Sequence, residues 1–396
     1  MHKGILIAVA ALVLVVAAAP GSASVARTSL DERTTGACAD ASCFSLVSTV
    51  AFSSNRDNLT LDVRHPTLRF EVYLMNPVEV RADRSNVRRL TYNSDGDGFA
   101  VLPPDGKKIV FDSNRNRPEL GSLPCPVAPG GTDDPSYFVS DLFLMETDGS
   151  EQTLLRRGGS SGTWSPDSKS IAFHASASGA GCPSRSDPGA AATDSDIFVA
   201  NVDDLLAGIE QPRNITNTPD KIDDDADWSA TGRIVYTAHR VGDDITNPLN
   251  PQGAVSNSAE LYLVDADGSD RVRLTENTFE ERAPAWSPNG DKIVYSCRIG
   301  GGFADFEICV IDADGTHWVQ LTDNSLADLT ASFSPDGQQI VFQRPVPGQG
   351  NQLFTMRPTL NQDGTLPTAT QLTFAPGVNL IPNWGELRVN DQEPAQ

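Results

Sequence analysis

Oxygen-bearing side chains recur in register along this chain. Five residues before a repeated, mostly aromatic position stand Asp97, Gly159, Asp223, Glu281, Asp328 and Asn379. Four of these are carboxylates and a fifth is an amide. If their segments meet around one axis, Asp97, Asp223, Glu281 and Asp328 form the donor set that a hard cation such as Ca²⁺ takes. With Asp224, Arg282 and Asn379 beside them, the same oxygens would attract the ammonium or guanidinium of a peptide. Aspartate also caps backbone amides in loops, so a purely structural role stands beside these two.

Three other motifs carry less. Gly158-Gly159-Ser160-Ser161-Gly162 has the G-x-S-x-G spacing of a nucleophile elbow. That device needs a strand before the serine and a helix after it, whereas a strand-like segment ending in Trp164 follows here. Asn93, Asp95, Asp97 and Gly98 match the first half of a calcium loop, but Pro104 stands where the bidentate glutamate belongs. His65, His174 and His239 lack the helical H-x-x-x-H spacing of a metal site.

The elements that position these residues are internal repeats, the first feature to seek in a chain of this length. Trp164-Ser165-Pro166-Asp167-Ser168 leads into Ile171-Ala172-Phe173. Trp286-Ser287-Pro288-Asn289-Gly290 leads into Ile293-Val294-Tyr295, and Phe333-Ser334-Pro335-Asp336-Gly337 into Ile340-Val341-Phe342. Trp228-Ser229 before Ile234-Val235-Tyr236 is one residue shorter. Leu102-Pro103-Pro104-Asp105-Gly106 before Ile109-Val110-Phe111 lacks the aromatic. Each copy reads as a hairpin, because proline presets φ and glycine tolerates φ > 0 in the turn. A second hairpin follows, as in Leu261 to Val264, Asp265-Ala266-Asp267-Gly268, then Arg273-Leu274-Thr275. Ile308 to Ile311 before Asp312-Ala313-Asp314-Gly315, and Leu142 to Met145 before Asp148-Gly149, repeat it.

Four strands per unit, A to D, make propeller blades, which must stack in a ring to bury both faces. Strand B occurs six times, ending near Phe52, Phe111, Phe173, Tyr236, Tyr295 and Phe342, but only the last five have a strand A before them. The chain's late segment Leu380-Ile381-Pro382-Asn383-Trp384-Gly385 is a strand A with no strand B after it. The expected fold is therefore all-β: a six-bladed β-propeller of four-stranded blades whose first blade is closed by the C-terminal strand. Trp164, Trp228, Trp286 and Trp384 are expected to wedge between blades.

The Trp-Ser-Pro-Asp-Gly hairpin, the Asp-Ala-Asp-Gly turn and the Leu-Thr pair together resemble the TolB-like propeller repeat over residues 45–390. The chain departs from TolB in lacking an α/β domain before the first blade, so contacts made through that domain do not carry over. The resemblance implies a partner protein or peptide engaged at the channel mouth. A carbohydrate-active or other hydrolytic enzyme using the channel is the alternative, and it would gather His174 and His239 with channel carboxylates.

The ends and the composition set the compartment and the partners. Lys3, the apolar run Ile5 to Ala19 and Ser24-Val25-Ala26 read as a secretory signal peptide over 1–26. Residues 27–44 form a short N-terminal segment, 45–390 the propeller and 391–396 a tail. Export to periplasm, cell envelope or medium follows, with no membrane span after cleavage. An even six cysteines suit an oxidising compartment. The expected bridges are Cys38–Cys43, Cys125–Cys182 and Cys297–Cys309. A formal charge of −22 argues against nucleic acid as a partner. A monomer is expected, with no catalytic residues.

Overall fold

The computed structural model describes residues 44–57, 70–77, 86–93, 96–115, 140–176, 195–209, 211–240, 259–300 and 305–390. The signal peptide, Cys38, Cys43, Cys125, Cys182 and His65 lie outside the described residues.

Six antiparallel four-stranded sheets follow one another, each in the order A-B-C-D. The strands A are Asn379–Asn390 for blade 1, then Asp97–Val101, Ser160–Trp164, Lys221–Trp228, Glu280–Trp286 and Leu329–Phe333 for blades 2 to 6. Strands B begin with Phe44–Ser54 and Lys108–Ser113, and continue as Ser170–Ser176, Arg233–Arg240, Lys292–Arg298 and Ile340–Val346. The closing strand does what the sequence requires of it. Val47 pairs with Leu387 and Val50 with Trp384, so the last strand of the chain fills the inner position of the first blade.

The hydrophobic core shows that the ring is closed. It divides into six clusters, each spanning two adjacent blades. The cluster of Val50, Phe52, Tyr73 and Met75 with Val341, Leu353 and Leu372 joins blade 1 to blade 6. Each strand A also lies beside the next strand A around the whole circuit, which makes it the innermost strand. A blade exposes two apolar faces and each is covered only by its neighbour. Side chains such as Phe111, Phe173 and Phe342 are fully buried there. Burying each contributes about 1.5–3 kcal/mol. Trp164 and Trp286 belong to these inter-blade clusters, while Trp228 and Trp384 pack against them partly buried.

The repeated Leu-Thr pair has a defined job. In blade 1, Leu90 N–H donates to Val72 C=O and the Thr91 hydroxyl accepts from Val72 N–H at 3.0 Å. Thr216, Thr275, Thr322 and Thr373 accept from strand C amides in the same way at 2.9–3.0 Å. The pair thus ends strand D with no strand C donor left bare. One element was not expected from an all-β pattern: a short helix, Val202–Ala207, between strands C and D of blade 3. Asn201 caps its start by accepting from Asp204 N–H, and Gly208 ends it at φ 65°.

Candidate binding site at the channel mouth

Each of the six residues picked out by spacing lies at the start of a strand A: Asp97 and Asn379 open theirs, Gly159 and Asp328 directly precede theirs, and Glu281 and Asp223 stand second and third. Asp97, Asp223, Glu281, Asp328 and Asn379 are all buried to 1% exposure or less. Their backbones tie neighbouring segments, for Asp97 N–H donates to Phe70 C=O and Asp328 N–H to Phe306 C=O. Their side chains are held within the blade wall by polar partners from the loop that enters each strand A. Asn277 Nδ2 donates to Glu281 at 2.8 Å and Asn324 Nδ2 to Asp328 at 2.9 Å, and Asn93 does the same for Asp97. Each asparagine stands two residues beyond the Leu-Thr threonine, giving a Leu-Thr-x-Asn pattern that sequence reasoning had not singled out. Among the described residues no three His, Cys, Asp or Glu side chains gather as a metal-binding group.

The partners of these acids are a second ring, of cations. Arg344 clamps Asp328 with both Nε and Nη2 at 2.6 Å, the bidentate geometry that makes arginine–carboxylate pairs strong. Arg115 reaches Asp97 at 2.7 Å, Arg271 lies 3.8 Å from Asp223, and Arg56 donates to Asn379 Oδ1 at 2.7 Å. Each guanidinium also lies on an aromatic pair formed across strands B and C of its blade. Arg56 covers Phe52 and Tyr73, Arg115 Phe111 and Phe143, Arg271 Tyr236 and Tyr262, and Arg344 Phe342 and Phe354, at 4.8–5.6 Å from the ring centroids. In blade 5 the strand C member of the pair is Cys309, opposite Tyr295, and it is bridged to Cys297. There Arg298 and Arg282 share Glu280 instead.

Burial dominates the titration of Asp97, Asp223 and Glu281. It pushes Glu281 up to about 7, with Thr275 and Asn277 hydrogen bonds opposing. Asp223 rises to about 6 for the same reason, against hydrogen bonds from Thr218 and Thr216 and the charge of Arg271. Asp97 is raised by burial, with Arg115 working the other way.

Beyond this ring each strand A is kinked at the channel. Phe99, Ser161, Asp225, Ala283, Thr330 and Ile381 have φ of 47–52°, a left-handed conformation unusual for residues with a Cβ. All six stand at register shifts between strands A and B. Four are held by the preceding blade. Ser53 Oγ accepts from Phe99 N–H at 3.1 Å, Asp112 from Ser161 at 3.2 Å, Ser296 from Thr330 at 2.9 Å and Gln343 from Ile381 at 2.8 Å. Asp224 and Arg282, the other two residues of the spacing argument, sit at these kinks and are partly exposed.

The motifs set aside in the sequence are placed as follows. The Ser160 hydroxyl donates to Asp112, and strand B follows its strand through a tight turn, with no helix behind it. Asp112 accepts Ser140 at 3.1 Å as well, and burial pushes it up to about 7. His174 and His239 are pushed down to about 4 by burial, and the Nδ1 of each is buried without a partner. They are neutral imidazoles inside blades 3 and 4.

No protein-family model matches the chain, and no curated protein matches it. Solved structures do. TolB from Acinetobacter baumannii superposes with a TM-score of 0.57 at 18% identity, over 85% of this chain and 66% of that one. A putative TolB from Agrobacterium tumefaciens gives 0.51 at 14% identity, over 87% and 99%. Hydrazine synthase of Kuenenia stuttgartiensis gives 0.56 at 12%, over 89% of this chain and 48% of that one. The chain thus spans just under two thirds of the first and about half of the third. What it shares with them is the fold, the propeller seen in the TolB structures.

Proposed function

We propose that this chain is an exported binding propeller that engages a protein or peptide segment at the channel face bearing the strand A starts. The observation that carries this reading is the kinked inner ring. Six non-glycine residues in left-handed conformation surround one channel, and conformations of this kind, costing of order 1–3 kcal/mol each, cluster at ligand clamps. Asp224 and Arg282 stand at two of these kinks and are partly exposed there, which supports the reading. The TolB-like resemblance of the repeat points the same way. The Cys297–Cys309 bridge supports an oxidising compartment. Among the described residues no helix is long and apolar enough to cross a membrane.

A photoreactive residue placed at Thr330, in the channel, tests the reading against one placed at Thr316, in the C–D turn of blade 5. In the native cell a discrete adduct is expected at Thr330 alone, competed by excess unlabelled chain. Adducts equal at both positions, or absent at both, refute it.

A further inference from the structure

In five blades the cation near strand A has an acid or amide oxygen of its own blade within 4 Å, by hydrogen bond or, for Arg271 and Asp223, as an ion pair at 3.8 Å. Blade 3 differs. Its aromatic pair, Phe173 and Phe198, is covered by Arg156, with centroids 5.2 and 5.8 Å from the guanidinium carbon. Arg156 comes from strand D of blade 2, and a register shift sends it there. In blades 1, 3 and 4 the strand D residue opposite the strand C aromatic is Arg89, Asn214 or Arg273. Each binds the first carboxylate of its own strand C: Glu71, Asp196 or Glu260. In blade 2 Leu154 takes that place opposite Phe143, and Arg156 pairs with Leu142 one step on. Its side chain crosses to the neighbouring blade.

There the acceptor is missing. The strand A residue that supplies Asn379 Oδ1 to Arg56, Asp97 to Arg115 and Asp328 to Arg344 is Gly159 in blade 3. The chain has no room to supply an acid at that position, for a Cβ on Gly159 would lie 3.0 Å from the Phe173 ring and 3.1 Å from Leu142. Arg156 Nε is buried with no hydrogen-bond partner, and among the described residues no ion pair reaches this guanidinium. The residue as a whole is only partly buried. Burial shifts its pKa downward.

We propose that Arg156, held on Phe173 and Phe198, is a receptor for a carboxylate brought by a ligand, which takes the position that Asp97 and Asp328 fill in blades 2 and 6. The fork of a guanidinium matches a carboxylate with two parallel hydrogen bonds, as Arg344 shows within this same fold. A singly charged carboxylate suits the site better than a dianion such as phosphate, because the chain carries a net charge of −22. The source is an acidic side chain or a C-terminus. The site lies at the start of strand A in blade 3, two residues before the kink at Ser161, and its test reads Arg156 directly, so it stands or falls apart from the channel reading.

The test is titration of the full chain, followed by the Arg156 Nε resonance, with four probes. These are acetate, an amidated peptide with one aspartate, a neutral peptide with a free C-terminus, and inorganic phosphate. A saturable shift with acetate and with at least one peptide is expected, and the tighter peptide names the source. Arg156→Gln abolishes the saturable binding, and Arg156→Lys, which keeps the charge and loses the fork, weakens it roughly tenfold. Substitution of the exposed neighbour Arg157→Gln leaves it unchanged. The proposal is overturned by the absence of a saturable shift, by phosphate matching acetate at equal concentration, or by Arg156→Lys binding as tightly as the native chain.

Discussion

Glu281 should make the fold lose stability as the solution turns from acid to neutral. It stands second in strand A of blade 5, with no exposed surface. Its oxygens accept from the Thr275 hydroxyl, from Asn277 at 2.8 Å and from Leu261 N–H at 3.2 Å, and among the described residues no cation lies in ion-pair range. Three neutral donors do not offset the lost hydration of a buried charge, so the pKa rises from 4.5 to about 7. Between these two values the folded chain holds a proton that the unfolded chain has released. Stability therefore falls with rising pH across that window and levels off above it. A shift of this size corresponds to about 3 kcal/mol at 1.36 kcal/mol per pKa unit. Glu281→Gln removes the titration and keeps the shape. Urea unfolding at pH 5, 6, 7 and 8 and fixed ionic strength should show the variant gaining about 2.5 kcal/mol on the native chain across that range, since part of the change is already complete at the acid end. Glu71, Asp112 and Glu307, also raised to about 7 by burial, titrate in both proteins and cancel in the difference. Parallel stability curves, or a difference that shrinks as pH rises, would refute the reasoning.

Two further perturbations separate the roles of the inner ring and the bridge. Arg344→Met leaves Asp328 buried and without its clamp, and should cost about 3–5 kcal/mol in chemical denaturation, while Asp328→Asn with Arg344→Met restores part of that loss. Replacing both Cys297 and Cys309 by serine opens a loop spanning 12 residues, for which roughly 3 kcal/mol is expected. A midpoint that does not move on reduction of the native protein would show that the bridge adds no stability.

The repeat was legible because the turns that make it are local. Pro-Asp-Gly and Asp-Ala-Asp-Gly each close within a few residues, so their chemistry is written contiguously. The unpaired Trp384 segment announced closure, since a strand A without a strand B can only complete another blade. The ring positions of Asp97, Asp223, Glu281, Asp328 and Asn379 were also readable from spacing. The direction of their side chains was not, because it depends on partners that come from elsewhere. Arg56 and Arg115 follow strand B four residues after Phe52 and Phe111, whereas Arg344 lies within strand B two residues after Phe342. Arg271 precedes strand D, and Arg156 ends one. What recurs is a guanidinium on an aromatic pair in space, not an arginine at a fixed place in the repeat. The helix Val202–Ala207 was missed for a related reason. Its Asn201 cap and Gly208 stop flank only six residues, too few to show a helical period.

Departures from the repeat then become informative, because a blade that only needs to stack has no reason to differ from its neighbours. Three departures fall on the junction of blades 2 and 3. Gly159 replaces the strand A acid, and a slipped strand D sends Arg156 across the junction. Asp112 stands where Ser53 and Ser296 hold the kink in other blades. Holding the kink requires only an acceptor for one N–H, which a serine hydroxyl supplies at no electrostatic cost. An aspartate there carries a buried group pushed to about 7, which the fold tolerates by adding the hydroxyls of Ser140 and Ser160. Stacking alone explains none of these three changes. Together they leave Arg156 over Phe173 and Phe198 beside a strand A position that offers it no side-chain acceptor.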